Sequence, residues 1–318
     1  MVDDSLETRR AEVVRAKTVR LAVAALAIAL ACAGACSASQ EGGDAGSDAA
    51  IDATTGDAEL DAAPQDASTK DVATTDWASI DFDAGCTATK PFGAPIRIVE
   101  LSADELISAY PHLTPDELTM YLSTSVHTGD ASPGDIVVVT RPSHAAPFGA
   151  PTLVANVSSP QADIEPMISA DGLTLVFVRQ TQNGGIMVAT RPSTSADFGA
   201  PAYVQGIPAN GFDPFLTTTG ELWFMKTGAS YDLFHGVLAD GGVSSWDAAT
   251  EINTAGEERV PVLSADMLTI FFARDGDGGQ IDIWTGTRDA ATSPFTGIHP
   301  VAELAAPGIN LPGWLSVD

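Results

Sequence analysis

The sequence predicts an all-β protein whose folded part is a β-propeller. Three short signatures recur in the same order between residues 91 and 318, at a period of about fifty residues. Each period contains four short segments rich in strand-forming residues, separated by Gly, Pro and Asp turns. Four strands in each repeat are typical of propeller blades. A β-sandwich also has regular turns, but it does not predict three signatures in a fixed order.

Residues 1–36 have the pattern of a secretory signal peptide. Basic residues precede an apolar stretch at 21–35, which is shorter than an ordinary transmembrane helix. The small residues directly before Cys36 are typical of a bacterial lipobox, in which the Cys thiol is lipidated. We therefore expect lipidation at Cys36, with Cys32 as the alternative. An ordinary cleaved signal or an uncleaved anchor are the other interpretations.

Residues 37–90 are rich in Ala, Asp, Thr, Ser and Gly, with an acidic residue every four or five positions. So few apolar side chains cannot offset the entropy lost on ordering. We interpret this segment as a disordered, self-repelling tether that holds a folded domain away from a membrane.

The formal charge of −27 makes nucleic acid an unfavourable partner. Binding to a phosphate backbone needs clustered Lys and Arg. The acidity is instead typical of a soluble, well-hydrated surface.

The first signature is a Pro, then Ser or Thr three residues later, then Asp and often Gly. It predicts a short inner strand and a tight hairpin turn, in which Gly can adopt positive φ. The copies lie at 111–116, 166–172, 214–220, 261–266 and, with Gly in place of Pro, 313–318. We assign structural roles in these turns to Asp116, Asp171, Gly172, Gly220, Asp266 and Asp318.

The second signature is a strand that ends in Thr-Arg, at Arg141, Arg191 and Arg288. A degenerate copy at 232–238 lacks the Arg. Because the Arg recurs at one repeat position, we expect a structural role, with acidic groups of neighbouring blades as candidate partners. The alternative is a ring of arginines around a ligand funnel.

The third signature is Phe-Gly-Ala-Pro, at 92–95, 148–151 and 198–201, and it decays at 246–249 and 295–298. Each copy precedes a short apolar segment that we predict to be an outer strand, where Pro is tolerated because the strand is an edge.

These repeats resemble the WD-like β-propeller repeats of the TolB family of periplasmic proteins. The residues that carry the resemblance are the Pro-to-Gly turn at 166–172 with its copies and the strand at 135–141. The resemblance covers about residues 91–318. It implies the propeller fold and has little bearing on function, because such repeats serve many roles. The α/β domain of TolB has no counterpart here, which puts a role in the Tol system in doubt.

The repeats predict four complete blades and an incomplete fifth. The complete units span about 109–157, 164–207, 212–253 and 259–304. An unpaired outer strand at 91–101 precedes them and an unpaired inner strand at about 309–315 follows them. We expect these two segments to belong to one fifth blade, and we expect about thirty further residues to be missing after the C-terminus. The alternative is an open array of four blades.

The sequence contains no recognisable catalytic constellation and no cofactor or metal motif. The histidines occupy different repeat positions without metal-ligand spacing. A carboxylate pair for glycoside cleavage cannot be chosen from 42 acidic residues by sequence alone. Three tryptophans within predicted strands are expected in the core between blades: Trp223, Trp284 and Trp314.

Two functions remain open at this point. The first is a lipid-anchored scaffold in the bacterial envelope that binds a protein, peptide or glycan, facing the periplasm or the cell exterior. The second is an extracytoplasmic hydrolase or lyase acting on glycans or peptides at the mouth of the propeller channel. Carboxylates or histidines converging at that mouth would favour the enzyme.

Overall fold

The predicted all-β fold with four complete blades is confirmed. A computed structural model describes residues 27–28, 92, 96–98, 101, 106–126, 134–180, 185–276 and 280–316. Four antiparallel sheets in these residues are arranged as the blades of a propeller ring.

Within each blade the strands lie side by side in chain order, from the central channel to the outer rim. Two short strands, β1 (Ala27–Ile28) and β2 (Ile96–Arg97), pair with each other outside these blades. Blade 1 contains β3 (Leu106–Leu113), β4 (Thr119–Val126), β5 (Asp135–Thr140) and β6 (Thr152–Leu153); blade 2 contains β7 (Ala162–Ile168), β8 (Thr174–Gln180), β9 (Gly185–Thr190) and β10 (Ala202–Tyr203); blade 3 contains β11 (Gly211–Leu216), β12 (Glu221–Thr227), β13 (Tyr231–Ala239), β14 (Gly242–Val243) and β15 (Asp247–Ala248); blade 4 contains β16 (Glu258–Leu263), β17 (Thr269–Asp275), β18 (Ile281–Thr287) and β19 (Thr296–Pro300).

Blade 3 has two short strands at its rim instead of one. β14 pairs with the end of β13, and β15 pairs with the middle of β13. This is the blade whose second signature is degenerate, so the irregular sequence coincides with the irregular edge.

The hydrophobic core lies between neighbouring blades. In the second strand of each blade, four consecutive residues or nearly so are buried, because both faces of the strand contact an adjacent sheet. Between blades 1 and 2, for example, Tyr121 and Ile136 pack with Leu175 and Phe177. Trp223 is buried in the core between blades 3 and 4, and Trp284 packs against that core.

Each inner strand contains a β-bulge directly before its Pro. The pairing register shifts at this point in all four blades. The residue at the bulge has positive φ, which is unusual for a residue other than Gly. These bulge residues are Tyr110 (φ 54°), Glu165 (57°), Asp213 (50°) and Val260 (51°).

The fifth, incomplete blade is not shown. In the described residues, the segment after blade 4 contains a short 3-10 helix at Ala302–Leu304 and a single parallel bridge between Ile309 and Ile281. Among the described residues of 91–101, the one strand is β2.

Both segments nevertheless contact complete blades. Ile98 and Leu101 are buried in the core of blade 1, and Trp314 packs against the same core. The Phe92 ring meets the Phe271 ring of blade 4 edge to face, with centroids 5.8 Å apart.

The predicted lipidation site at Cys36, the tether at 37–90 and the last predicted turn residue, Asp318, lie outside the described residues. In the part that is described, no helix has the length and apolar character of a membrane-spanning segment.

Candidate functional site

The inner strands surround a narrow central channel. Its walls include the Pro of each first signature and the bulge residue that precedes it. Pro312 and Gly313 occupy the corresponding place in the fifth copy and also line the channel. The cavity has a volume of about 30 Å³, which is room for roughly two water-sized groups.

The bulge residues connect the blades through hydrogen bonds around this channel. The Glu165 N–H of blade 2 donates to the Ser123 hydroxyl of blade 1, at 2.9 Å. The Asp213 N–H of blade 3 donates to Glu165 Oε2, at 2.7 Å. The Val260 N–H of blade 4 donates to Asp213 Oδ2, at 3.2 Å. We call this series the channel ladder; its direction is constant, with each donor one blade further along the chain than its acceptor.

Burial disfavours the charge on both carboxyl groups of the ladder, since each residue is only 7% exposed. Burial raises the pKa of Glu165 well above its ordinary value, and the nearby carboxylate of Asp213 raises it further. Burial likewise raises the pKa of Asp213 to about 6, although the Val260 N–H and the Arg259 charge oppose this shift. The pair therefore holds protons at pH values where an exposed carboxyl group has lost them.

His112 faces the same cavity from blade 1. The residue is 7% exposed, and both ring nitrogens are buried without a hydrogen-bond partner in the described structure. Burial lowers its pKa to about 3; the Leu113 backbone, close to the ring but outside hydrogen-bond geometry, offsets this only in part. The imidazole is thus neutral at physiological pH and has an unused acceptor nitrogen.

Tyr110 completes the polar lining. Burial raises the pKa of its hydroxyl, and the charges of Glu165 and Asp213 raise it further, while Arg259 opposes them. The phenol remains a hydrogen-bond donor at any physiological pH.

The channel can therefore accept hydrogen bonds and cationic groups of very small size. It provides carboxyl oxygens that the ladder does not use, a neutral imidazole and a phenol, in walls otherwise formed by Pro, Met, Val and Phe side chains. Across the described ranges, no group of three or more His, Cys, Asp or Glu side chains is arranged to hold a metal ion.

The predicted turn residues lie away from this channel, in the hairpins between first and second strands. In three blades the Asp carboxylate accepts one bond from the preceding Ser or Thr hydroxyl and one from a following Leu N–H. Both hydrogen bonds lower the pKa of Asp171, at 2.6 Å from Ser169 and 2.9 Å from Leu173. The equivalent acceptors are Asp116 and Asp266. In blade 3, Gly220 has positive φ and the hydroxyls of Thr217 and Thr219 meet instead.

The three predicted arginines join all three sequence signatures within one blade. Arg191 Nε donates to the carbonyl of Gly172 in the turn, at 2.7 Å, and its guanidinium lies 4.5 Å from the centre of the Phe198 ring. Arg141 and Arg288 repeat both contacts, with turn residues Glu117 and Met267 and rings Phe148 and Phe295.

Charges from other elements also reach these arginines. Arg141 forms an ion pair with Glu117 of its own blade, at 3.6 Å. Burial lowers the pKa of Arg288, and the charge of Glu221 in blade 3 offsets part of this lowering. These contacts place the arginines between sheets and turns; none of the three is among the residues that line the channel.

Sequence reasoning missed the functional candidates at the channel. Glu165 and Asp213 were indistinguishable from the other acidic residues by type, but both directly precede the Pro of the first signature. That shared repeat position is the signal that could have singled them out. No comparable signal marks His112, because the same repeat position holds Met167, Phe215 and Val262 in the other blades.

Comparisons with known proteins show no family for this chain. No protein-family description matches the sequence, and no curated protein does.

Similar solved structures include one assigned to TolB from Agrobacterium tumefaciens, with 17% identity, a TM-score of 0.42 and coverage of 61% of each chain. TolB from Acinetobacter baumannii has 14% identity and a TM-score of 0.39, covering 59% of this chain and 43% of its own. The catalytic domain of a GH62 α-L-arabinofuranosidase from Coprinopsis cinerea has 14% identity and a TM-score of 0.43, covering 62% of this chain and 68% of its own.

The matched region thus spans less than two thirds of either TolB structure. The function has to be inferred from the channel itself.

Proposed function

We propose that this protein is a lipid-anchored, extracytoplasmic β-propeller that binds an envelope protein, peptide or glycan without converting it chemically. The observation that carries the proposal is the use of both channel carboxyl groups as hydrogen-bond acceptors between blades. One oxygen of each group holds a backbone N–H of the next blade, so Glu165 and Asp213 have a structural role in joining the blades.

The size of the cavity supports the same conclusion. Sites for small molecules usually have volumes of a few hundred Å³ or more. A volume of about 30 Å³ cannot hold a sugar ring between Glu165 and Asp213. We therefore expect the binding surface at the loops around the channel mouth, because these loops form a broad face of a propeller.

The alternative is an extracytoplasmic hydrolase or lyase acting on glycans or peptides at the channel mouth. One observation favours it: burial raises the pKa values of Glu165 and Asp213, and a carboxyl group that holds its proton near neutral pH can serve as a general acid.

The two functions are separated by testing binding and turnover with the same preparation. The mature full-length protein is immobilised, exposed to envelope extracts and then tested with glycan and peptide libraries. We expect a specific partner to be retained and no library member to be cleaved. Turnover that disappears in the Glu165→Gln and Asp213→Asn variants, with no partner retained, would establish the enzyme instead.

Lipid anchoring has a separate test. In a bacterial host supplied with labelled palmitate, Cys36→Ala should abolish labelling and release the protein from the membrane fraction, because the acceptor thiol is lost. Cys32→Ala is the matched control and should leave both unchanged. If Cys32→Ala instead abolishes labelling, the acceptor is Cys32; if neither variant changes it, the lipobox assignment is wrong.

A further inference from the structure

The central channel combines three properties that are rarely found in one small cavity. Its base carries two nearly buried carboxyl groups, Glu165 and Asp213. Its wall includes a buried imidazole, that of His112, which has no hydrogen-bond partner among the described residues. Its remaining surface is apolar and is dominated by the repeated prolines.

We propose that this channel binds a primary ammonium group, either a lysine side chain of a bound polypeptide or a free alkylamine. Only the assignment of the ammonium group to a lysine of a bound polypeptide rests on the proposed binding function. The site itself is defined by the channel residues.

The donors of a primary ammonium group match the acceptors of the channel. An ammonium ion has three N–H donors and no acceptor. The ladder uses Oε2 of Glu165 and Oδ2 of Asp213, which leaves the second oxygen of each carboxyl group outside the ladder. Rotation of the neutral His112 ring toward the cavity would supply a third acceptor.

Size and wall chemistry narrow the choice of cation. A primary ammonium group is about as large as a water molecule, and the cavity has room for roughly two such groups. A quaternary ammonium group is too large for it. The methylene groups attached to a primary ammonium can lie against Pro111, Pro166 and Phe215 as they leave the cavity.

A bound cation would also relieve an unfavourable electrostatic arrangement. Burial makes both carboxyl groups retain protons, and the charge of Asp213 adds to this effect at Glu165, so binding of a cation should favour loss of a proton. Two other groups interact electrostatically with these carboxyl groups. The Tyr110 hydroxyl stays protonated, and the charge of Arg259 already opposes part of the rise in the pKa of Asp213. Ammonium binding should therefore release protons into the buffer near pH 6.5.

The test is a calorimetric titration of the full chain with n-butylammonium chloride near pH 6.5, in two buffers with different ionisation enthalpies. We expect saturable binding and an observed enthalpy that differs between the buffers, because protons are released. Tetramethylammonium chloride at the same ionic strength should give no saturable heat. Equal heats from both salts, or no binding of n-butylammonium, would overturn the proposal.

Variants locate the binding at the channel. Glu165→Gln and Asp213→Asn each keep an oxygen for the ladder, and we expect each to weaken binding about tenfold or more and to abolish proton release. Asp247→Asn, at an exposed position on β15, is the matched control and should bind as the wild type does. Circular dichroism confirms that each variant is folded. An equal loss of affinity in Asp247→Asn would assign the binding to general surface charge and refute the channel site.

A further titration distinguishes the two sources of the ammonium group. The affinity of a short peptide that contains one lysine, acetylated at its N-terminus and amidated at its C-terminus, is compared with that of n-butylammonium. Binding at least tenfold tighter for the peptide assigns the site to a lysine side chain, and equal affinity assigns it to a free alkylamine.

Failure of this inference is distinguishable from failure of the proposed function. If a partner is retained but n-butylammonium does not bind, the binding function stands and the ammonium site is wrong. If n-butylammonium binds but no partner is retained, the ammonium site stands and the scaffold function is wrong.

Discussion

Glu165 and Asp213 each accept a backbone N–H from the next blade although burial opposes their ionisation. The bulge residues have positive φ, and the N–H groups of Asp213 and Val260 each meet the carboxyl group of the preceding bulge residue. The bulge geometry, and not the carboxyl group alone, therefore determines which acidic residues face the channel.

The pH dependence of stability follows from Asp213. Its folded pKa, about 6, lies above the ordinary value of 3.8, so the folded state holds this proton more tightly than the unfolded chain. The contribution of Asp213 to stability is therefore present at low pH and is lost as the pH rises through this window. Asp213→Asn removes the ionisable group but keeps an acceptor for the Val260 N–H. We expect the variant to exceed the wild type in stability by about 2 kcal/mol near pH 7.5 and to lose this advantage below about pH 4.

Urea unfolding followed by tryptophan fluorescence at both pH values measures this difference. Asp247→Asn, which replaces an exposed carboxyl group, serves as the control. A stability difference between Asp213→Asn and the wild type that is the same at both pH values would contradict the assignment.

Buried ion pairs occur in alternate blades, beside the first and second strands. Arg274 Nε donates to Glu258 Oε1, at 2.8 Å, and Arg179 Nε donates to Asp163 Oδ1, at 2.6 Å. Both acidic residues are fully buried. Each arginine also donates to a backbone carbonyl in the segment that arrives from the preceding blade.

Removing one partner of such a pair should be far more costly than neutralising both. Arg274→Met leaves the Glu258 carboxylate buried without its cation, and we expect a loss of about 3 to 5 kcal/mol. The double variant Arg274→Met with Glu258→Gln should recover most of this loss, because the charge is gone and Thr254 still has an acceptor.

Blade 3 provides the matched control at the same repeat position. Lys226 pairs in register with Gly211 on β11, where Arg274 meets Glu258 in blade 4; its neighbour on β13 is Asp232. Lys226→Met should cost less than about 1 kcal/mol. Thermal unfolding of the four proteins measures the set; a double variant as unstable as Arg274→Met would show that the ion pair is not the cause.

At the scale of the elements, a hairpin turn, a strand end and a rim segment meet in each regular blade. Arg191 joins them through the carbonyl of Gly172 and the ring of Phe198. The three signatures were predictable from the sequence because each is local, but their meeting is a long-range contact that spacing does not encode.

Gly172 tests the geometry of this junction. It has φ of +71°, and an added Cβ would lie 3.1 Å from Thr194 Cγ2. Gly172→Ala should therefore destabilise the protein by about 1 to 2 kcal/mol, through backbone strain and crowding. Gly228→Ala, at a position without positive φ and with a nearest contact of 3.6 Å, should change stability by less than about 0.5 kcal/mol. Equal unfolding midpoints for the two variants in guanidinium would show that the turn tolerates the side chain.

At the scale of the whole molecule, the ring depends on segments that lie outside the four complete blades. Ile98, Leu101 and Trp314 cover the blade 1 core on the side away from blade 2. The equivalent core between blades 1 and 2 is covered by Val154 and Val157 from the preceding rim. Residues 98 and 101 thus cover the core of blade 1 in the same way that the outer segment of blade 1, at 154–157, covers the core of blade 2.

Trp314→Ala should reduce stability by about 2 kcal/mol, because a half-buried aromatic ring leaves the blade 1 core. Tyr203→Ala, which truncates an exposed ring on the rim of blade 2, is the control and should change stability little. Hydrogen exchange should show the loss of protection concentrated in β3 and β4. Uniform loss across all blades would indicate that Trp314 does not act locally.

The all-β class and the four blades could be predicted from the sequence because hydrophobic strands, turns and their repetition are encoded locally. The channel site could not, because it depends on which side chains a bulge brings together from three blades. His112 illustrates the limit: only the closed ring shows that its imidazole is buried without a partner.

The channel ladder also has an end, and its position matters. Val260 has an aliphatic side chain that cannot accept a hydrogen bond, and Pro312, the next residue around the channel, has no N–H to donate. The ladder therefore joins blades 1 to 4 but cannot extend across the boundary beyond blade 4. This boundary is a seam, because the ladder contributes no hydrogen bond across it among the described residues. When the ring unfolds, it should part first along this seam, while blades 2 and 3 separate last.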